Sequence, residues 1–417
     1  MVYFQQTILA VAAFIATSLA QSCATINPAF APTWGTGFSG RVVMNGLKAP
    51  RGLVVDSLNN LLVVESGGAG VRWVQLKDNG GTDVCVGTSK QLISERGLNH
   101  GIDLSADGKT LFVSSMSTVW SYPYDAAAGT VGTRKTLITG MSNSGHSTRT
   151  ILTSKKNPDQ LVVSVGSNAN IDSATSQQSS GRSQLRTFSI SKISQASVAY
   201  TTGEVLGWGL RNSVGVTENS LGGIWSVENS VDDMKKGTTD IHNTNPCEEL
   251  NYHGTLAGSS AEKGANFGYP ECFAAWDPSV IPNGASYKVG QQFAIGTGSD
   301  STCSSRIAPK LCFPAHTAPL SVRFNPNRTS AYIAFHGSWN KSPPDGYRLS
   351  KINIDPATGM PTEPSSSKTA AINVMTNPSN GNCPSRCFRP VDLAFDAKGR
   401  LFMTSDSSNE VWVIGGA

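Results

Sequence analysis

Apolar residues recur along this chain in short runs, each broken by an Asp- or Asn-rich turn and answered by a second run. "APRGLVVDSLNNLLVVES" (49–66) sets the pattern of a polar leading residue, an apolar strand, a turn and another apolar strand. The pattern returns in "LNHGIDLSADGKTLFVSS" (98–115), "GHSTRTILTSKKNPDQLVVSVGS" (145–167) and "GLRNSVGVTENSLGGIWSVEN" (209–229). It occurs twice more, in "APLSVRFNPNRTSAYIAFHG" (318–337) and "RPVDLAFDAKGRLFMTSD" (389–406). Further strands such as "VWSYPYD", "LRTFSI", "YRLSKIN" and "VWVIGG" follow the copies. Short strands with turn signals between them predict an all-β chain. Self-similar units of roughly 40–50 residues predict a propeller, so six copies predict a six-bladed β-propeller. The wide gaps leave room for insertions, chiefly over 230–315, and no long amphipathic helix is expected.

In such a ring, residues that lead the inner strands gather at one mouth of the central channel. The residues at that repeat position are Arg51, His100, His146, Arg211 with Asn212, and Arg389, with Arg149 close behind His146. His146 therefore has two readings, a structural histidine or a general base, since an imidazole titrates near neutrality and a placed base is worth roughly 10²–10⁴-fold. Arginines at several mouths suit an acidic ligand, because guanidinium forks grip carboxylates in bidentate fashion. "ENSVDDM" (228–234) is either a solvated acidic turn or a calcium loop built on oxygen ligands, backbone carbonyls included.

Composition narrows the classes. A formal net charge of +4, with no basic run longer than two residues, argues against nucleic acid. "GTGFSG" (35–40) matches GxGxxG but has neither the preceding strand nor the following helix that nucleotide binding needs. Residues 1–20 carry no charge, include an apolar stretch too short for a span, and end in "SLA", which reads as a signal peptide. The rest, 21–417, reads as one propeller domain, secreted, monomeric and without a membrane anchor. Eight cysteines with no CxxC fit disulfides in an exported protein. Sequence proximity expects Cys247–Cys272, Cys303–Cys312 and Cys383–Cys387, leaving Cys23–Cys85. "NRT" at Asn327 and "NKS" at Asn340 are N-glycan candidates, with Asn327 expected to be the better acceptor.

Several stretches carry a family resemblance: "GLRNSVGV", "SVEN…DDM", "NFGYP" (266–270), "HTAPLSVRF" (316–324), "AFHGSWNKSPPDGYRLSKI" (334–352) and "FRPVDLAFDAKGRLF" (388–402). From about Gly46 onward the chain resembles soluble pyrroloquinoline-quinone (PQQ) sugar dehydrogenases. Within that group it is most like the fungal pyranose dehydrogenases of auxiliary activity family 12, akin to sorbosone dehydrogenases. The resemblance implies a six-bladed propeller holding PQQ and Ca²⁺ and oxidising a sugar at its anomeric carbon, with a monosaccharide as substrate. It implies His146 as catalytic base, Arg211 as a second catalytic group, and Arg211, Asn212 and Arg389 as cofactor contacts. His336 and Trp339 fall in its blade-five signature, and the carbonyls near Ser230 and Val231 align with its calcium turn. Arg51, His100 and Arg149 join the cofactor contacts on repeat position. Multidomain relatives add a cytochrome domain and a cellulose-binding module. No stretch here reads as either, so an external electron acceptor is expected, a copper polysaccharide mono-oxygenase being one candidate. Two rival functions stand beside this one. A calcium-dependent lactonase on a six-bladed propeller would need metal and base but no arginine ring, and a binding propeller would need neither.

Overall fold

The computed structural model describes residues 21–417 except Ser142 and Thr297. The expected signal peptide, 1–20, lies outside the described residues.

Each repeat folds as expected into the first two strands of one blade. The inner strands are Pro50–Val55, Leu98–Leu104, Ile151–Thr153, Ser213–Glu218, Pro319–Phe324 and Pro390–Phe395. Each packs against the next and the sixth against the first, which closes a ring of six. The turn chemistry of the repeat explains the first hairpins. Asp56, Asn219, Asn325 and Asp396 each turn a side-chain Oδ1 back onto two backbone N–H groups of their own hairpin, the local hydrogen bonding that makes Asx residues turn formers.

The second strands read as nearly unbroken apolar runs because both of their faces are buried. In Leu61–Glu65, Leu62 and Val64 pack toward blade two while Leu61 and Val63 pack toward blade six. The same alternation puts one apolar cluster at every blade interface, for example Phe112 and Ile138 with Leu161 and Val163 between blades two and three. Fully burying one such side chain is worth about 1.5–3 kcal/mol, so the interfaces, rather than isolated blades, hold the ring. Closure uses the start of the described chain. Ser39–Met44 adds the outer strand of blade six by antiparallel pairing with Glu410–Gly415, and Cys23–Cys85 ties the same segment to blade one.

The stretch 230–315 is not one insertion. Blade four's third strand, Glu248–Thr255, and its fourth, Leu311–Phe313, lie within it. Ala265–Asn266 extends blade three, and only the remainder forms an added subdomain around the paired strands Cys272–Ala274 and Gln292–Ala294. This arrangement overturns two expected disulfides. Cys247 bonds Cys312 and Cys272 bonds Cys303, whereas Cys23–Cys85 and Cys383–Cys387 are as expected. The reason is topological: Glu249 pairs with Cys312 across blade four, so residues 65 apart in sequence meet while nearer cysteines do not. Among the described residues α-helix is confined to two single turns, Ile190–Ile193 and Asp300–Cys303, and no described helix is long and apolar enough to cross a membrane.

Candidate active site

At the mouth led by the inner strands lies a cavity of about 200 Å³ lined by His146, Arg211, Asn212, Ser230, His316 and Trp339, among others. Blades three, four and five thus contribute to one site, whereas Arg51, His100 and Arg389, which lead blades one, two and six, do not line it. Close approach here depends on Gly166: a Cβ at that position would lie 2.7 Å from Asn212 Oδ1 and 2.8 Å from His146 Cβ.

His146 is held through Nδ1, which lies 3.0 Å from the Ser167 carbonyl oxygen and 2.9 Å from Ser167 Oγ. The carbonyl can only accept, and the Ser167 hydroxyl already donates to the Ala169 carbonyl at 2.7 Å. Nδ1 must therefore carry the proton, which leaves the Nε2 lone pair free. Burial, reinforced by the Arg211 cation, pushes the imidazole down to about 4, so it is neutral above that pH.

Arg211 is nearly buried and fully oriented. Its guanidinium donates to Asn170 and to the Asn229 carbonyl, and pairs with Asp232 at 3.2 Å. Asp232 also faces His316 at 3.5 Å, and His316 donates Nε2–H to the His242 carbonyl.

A second group sits where blades one, five and six meet. Asp406 receives Arg51 at 3.0 Å and His336 at 2.9 Å. Burial would raise its carboxyl, but His336, Arg51 and Arg389 outweigh that and hold it down at about 2. Arg389 donates Nε–H to the His336 carbonyl and Nη2–H to the Gly337 carbonyl, and Gly337 itself lines the cavity. His100 is buried against this group, with burial and then Arg51 pushing its imidazole down to about 3.

One expected contact lies elsewhere. Arg149 is fully buried and donates to the carbonyls of His146, Thr148 and Asn143 and to Asn143 Oδ1. It holds the loop that carries His146 and does not reach the cavity, because repeat position says where a residue begins but not which way its side chain turns.

The fit to a planar polycarboxylate is direct. Among the described residues Arg51 keeps Nε and Nη2, and Arg389 keeps Nη1, without a protein acceptor. None of these nitrogens is a fully buried orphan. Trp339 is 73% exposed on the cavity wall, an indole face open to a flat ring. The fit to a divalent cation rests on charge. Glu228, Glu248 and Glu249 are almost completely buried, and burial raises all three carboxyls above their ordinary range. Their hydrogen bonds come from neutral amides: the N–H groups of Arg211, Ser230 and Ala318, and Asn251 Nδ2. A cation held by carbonyls at Ser230 and Val231 would offset that uncompensated charge. Among the described residues no cluster of three or more His, Cys, Asp or Glu side chains converges on a point, so a cation here depends on backbone oxygens. The Val231 side chain packs into the added subdomain's core, which leaves only its backbone for such a role.

Sequence reading flagged the stretch that holds Asp232 but missed Ser167, Asn170, Glu248 and His316. One signal was present: "CEELNY" places two acids inside an otherwise apolar strand, the kind of buried charge that seldom occurs without a partner. A groove of about 560 Å³, lined by Ile171, Met234 and Glu271 among others, shares Asp232 with the cavity.

The six-bladed propeller thus sets a neutral histidine and an oriented arginine, His146 and Arg211, in one cavity at the channel mouth. The TrAA12-like family matches residues 32–417, and the chain belongs to that family. It is 43% identical over 408 residues to a pyrroloquinoline quinone-dependent sugar dehydrogenase of Hypocrea jecorina, covering 95% of this chain and 92% of that one. It is 40% identical over 410 residues to a pyrroloquinoline quinone-dependent pyranose dehydrogenase of Coprinopsis cinerea, covering 93% of this chain and 55% of that longer protein. Among solved structures it is similar to the calcium structure of Trichoderma reesei Carbohydrate-Active Enzymes Family AA12, with TM-score 0.91 and 43% identity over 95% of this chain and 100% of that one. It also superposes on the holo form of the pyranose dehydrogenase PQQ domain from Coprinopsis cinerea, with TM-score 0.89 and 38% identity over 94% of this chain and 98% of that one.

Proposed function

We propose that this chain is a secreted quinoprotein that oxidises pyranose sugars at the anomeric carbon and passes the electrons to an external acceptor. The observation that carries the reading is the His146 imidazole, proton fixed on Nδ1 and Nε2 lone pair free, beside the oriented Arg211 in one cavity. The family membership and the PQQ-dependent relatives support the cofactor, and the calcium structure supports the cation.

PQQ, bound with Ca²⁺, supplies a two-electron acceptor that no side chain provides. Arg51 and Arg389 would grip its carboxylates, Trp339 and Asn212 would pack and bond its edge, and the carbonyls of Ser230 and Val231 would hold the cation. His146 Nε2 takes the proton from the anomeric hydroxyl, and its depressed basicity keeps it neutral for that task over the ordinary pH range. The Arg211 guanidinium, fixed before substrate arrives, stabilises negative charge as it develops. The adjoining groove, which shares Asp232 with the cavity, offers room for a pyranose. A lactonase would leave the arginines without a task. Secretion is favoured by the apolar leader and the four disulfides.

The test is dye reduction by purified protein supplied with PQQ and Ca²⁺ across a panel of pyranoses, with the lactone product identified. Turnover that requires both PQQ and sugar is expected. Lactone hydrolysis without PQQ, or no PQQ binding at all, would overturn the reading.

A further inference from the structure

His146 and Arg211 come from different blades, yet one short loop orients both. Residues 167–172 follow the second strand of blade three, Gln160–Val165. Ser167 fixes His146 Nδ1, and three residues on Asn170 grips Arg211, its carbonyl accepting Nε–H at 3.1 Å and its Oδ1 accepting Nη2–H at 2.8 Å. The same Asn170 amide bonds the Asp232 backbone on both sides, accepting N–H at 2.9 Å and donating to the carbonyl at 2.8 Å.

The loop is anchored from outside its own blade. Tyr269, from the "NFGYP" segment, is 2% exposed, and its hydroxyl accepts the Asp172 N–H at 2.7 Å. It faces the Asn170 carbonyl at 3.0 Å and the Ala169 carbonyl at 3.3 Å, so it donates back into the loop. Asp172 adds a second anchor through Arg182 at 2.6 and 2.9 Å and through the Asn168 N–H at 2.9 Å. Neither Tyr269 nor Ser167 lines the cavity.

We propose that Tyr269 is a positioning residue for the reaction: its buried hydroxyl sets the 167–172 loop and, through Ser167 and Asn170, the aim of His146 and the fork of Arg211. The proposal rests on reading His146 as the base, and its test separates the two. Tyr269→Phe removes only the hydroxyl and keeps the ring against Phe273, 6.1 Å away between centroids. Histidine-¹⁵N-labelled protein, studied without sugar or electron acceptor, reports the His146 imidazole directly, with the signal assigned by its loss in His146→Ala. The native protein shows the Nδ1–H tautomer. In Tyr269→Phe the tautomers average and the ring titrates closer to an ordinary histidine, since a loosened loop admits water and lets Arg211 withdraw. Arg149 on its own loop and Asp232, His316 and Glu248 across the cavity are unchanged by the substitution. In turnover, kcat falls about tenfold, the worth of a misaligned base, KM changes less, and the acid limb moves up with the imidazole.

Tyr287→Phe is the control, because that insertion tyrosine bonds Asp300 and Lys236 away from the loop. It should leave the His146 signal alone even if the fold loses stability. Should Tyr269→Phe fail to fold, Ser167→Ala breaks the same link at its other end. A lower melting temperature with an unchanged tautomer and unchanged titration would overturn the positioning role. If the imidazole responds but His146→Ala keeps normal turnover, the positioning link stands and the base assignment falls.

Discussion

Glu248 accepts the backbone N–H of Ser230 through Oε2 at 2.7 Å, so a buried carboxylate orients the turn whose carbonyls would meet a cation. Burial raises this carboxyl and those of Glu228 and Glu249 above the ordinary glutamate value near 4.5. A group whose folded pKa is raised contributes stability at low pH and loses it as pH rises from the unfolded value through the folded one. Chelator-treated protein should therefore melt at a lower temperature at pH 8 than at pH 5. Ca²⁺ should restore more at pH 8, where these carboxyls carry more negative charge than at pH 5. Thermal melts at both pH values with and without Ca²⁺ check this, and an equal calcium effect at the two would contradict it.

Two arginines expected in similar roles should separate on substitution. Arg149→Met removes a buried guanidinium and strands the carbonyls of Asn143, His146 and Thr148. A loss of about 3 kcal/mol or more in denaturant unfolding is expected, as when a buried charged network is broken. Arg389→Ala, which frees only the His336 and Gly337 carbonyls at a half-buried position, should lower stability less than Arg149→Met and weaken PQQ binding by about ten- to a hundredfold, the range for a hydrogen bond to a charged group. Calorimetric titration with PQQ reads the second effect.

Asn340 should carry no glycan after expression in a eukaryotic host. It is only 4% exposed and its Nδ2, the atom a glycan would occupy, donates to Asp233 Oδ1 at 2.7 Å. Asn327 lies exposed in the blade-five hairpin turn and should be occupied. Glycopeptide mapping after expression in a eukaryotic host decides between them.

How much of this was legible beforehand follows from what a repeat encodes. The six hairpins were readable because four copies repeat the same Asx turn, Ser105 and Ser154 take its place in the other two, and all share a doubly buried second strand, as Asp56 with Leu61–Glu65 illustrates. The mouth of the channel was readable for the same reason. Side-chain direction was not: Arg149 follows His146 by three residues and turns inward. Nor was pairing across blade four, where the chain detours through the added subdomain before Cys312 returns to Cys247. Asn170 was hidden because its work is done through hydrogen bonds to blade four, and Ser167 because it meets His146 only across the folded blade-three hairpin, and no local pattern marks such contacts.

The account stands most directly on turnover per bound PQQ in His146→Ala, measured across pH beside the native protein. The variant should fold, bind PQQ through the arginines and the cation, and turn over at least about 10²-fold more slowly, the usual worth of a placed base. Native activity should hold through mildly acidic pH and decline as pH falls through about 4, where burial and Arg211 place the imidazole's protonation. Near-native turnover per bound PQQ in His146→Ala, or an acid limb at an ordinary histidine value, would contradict the account.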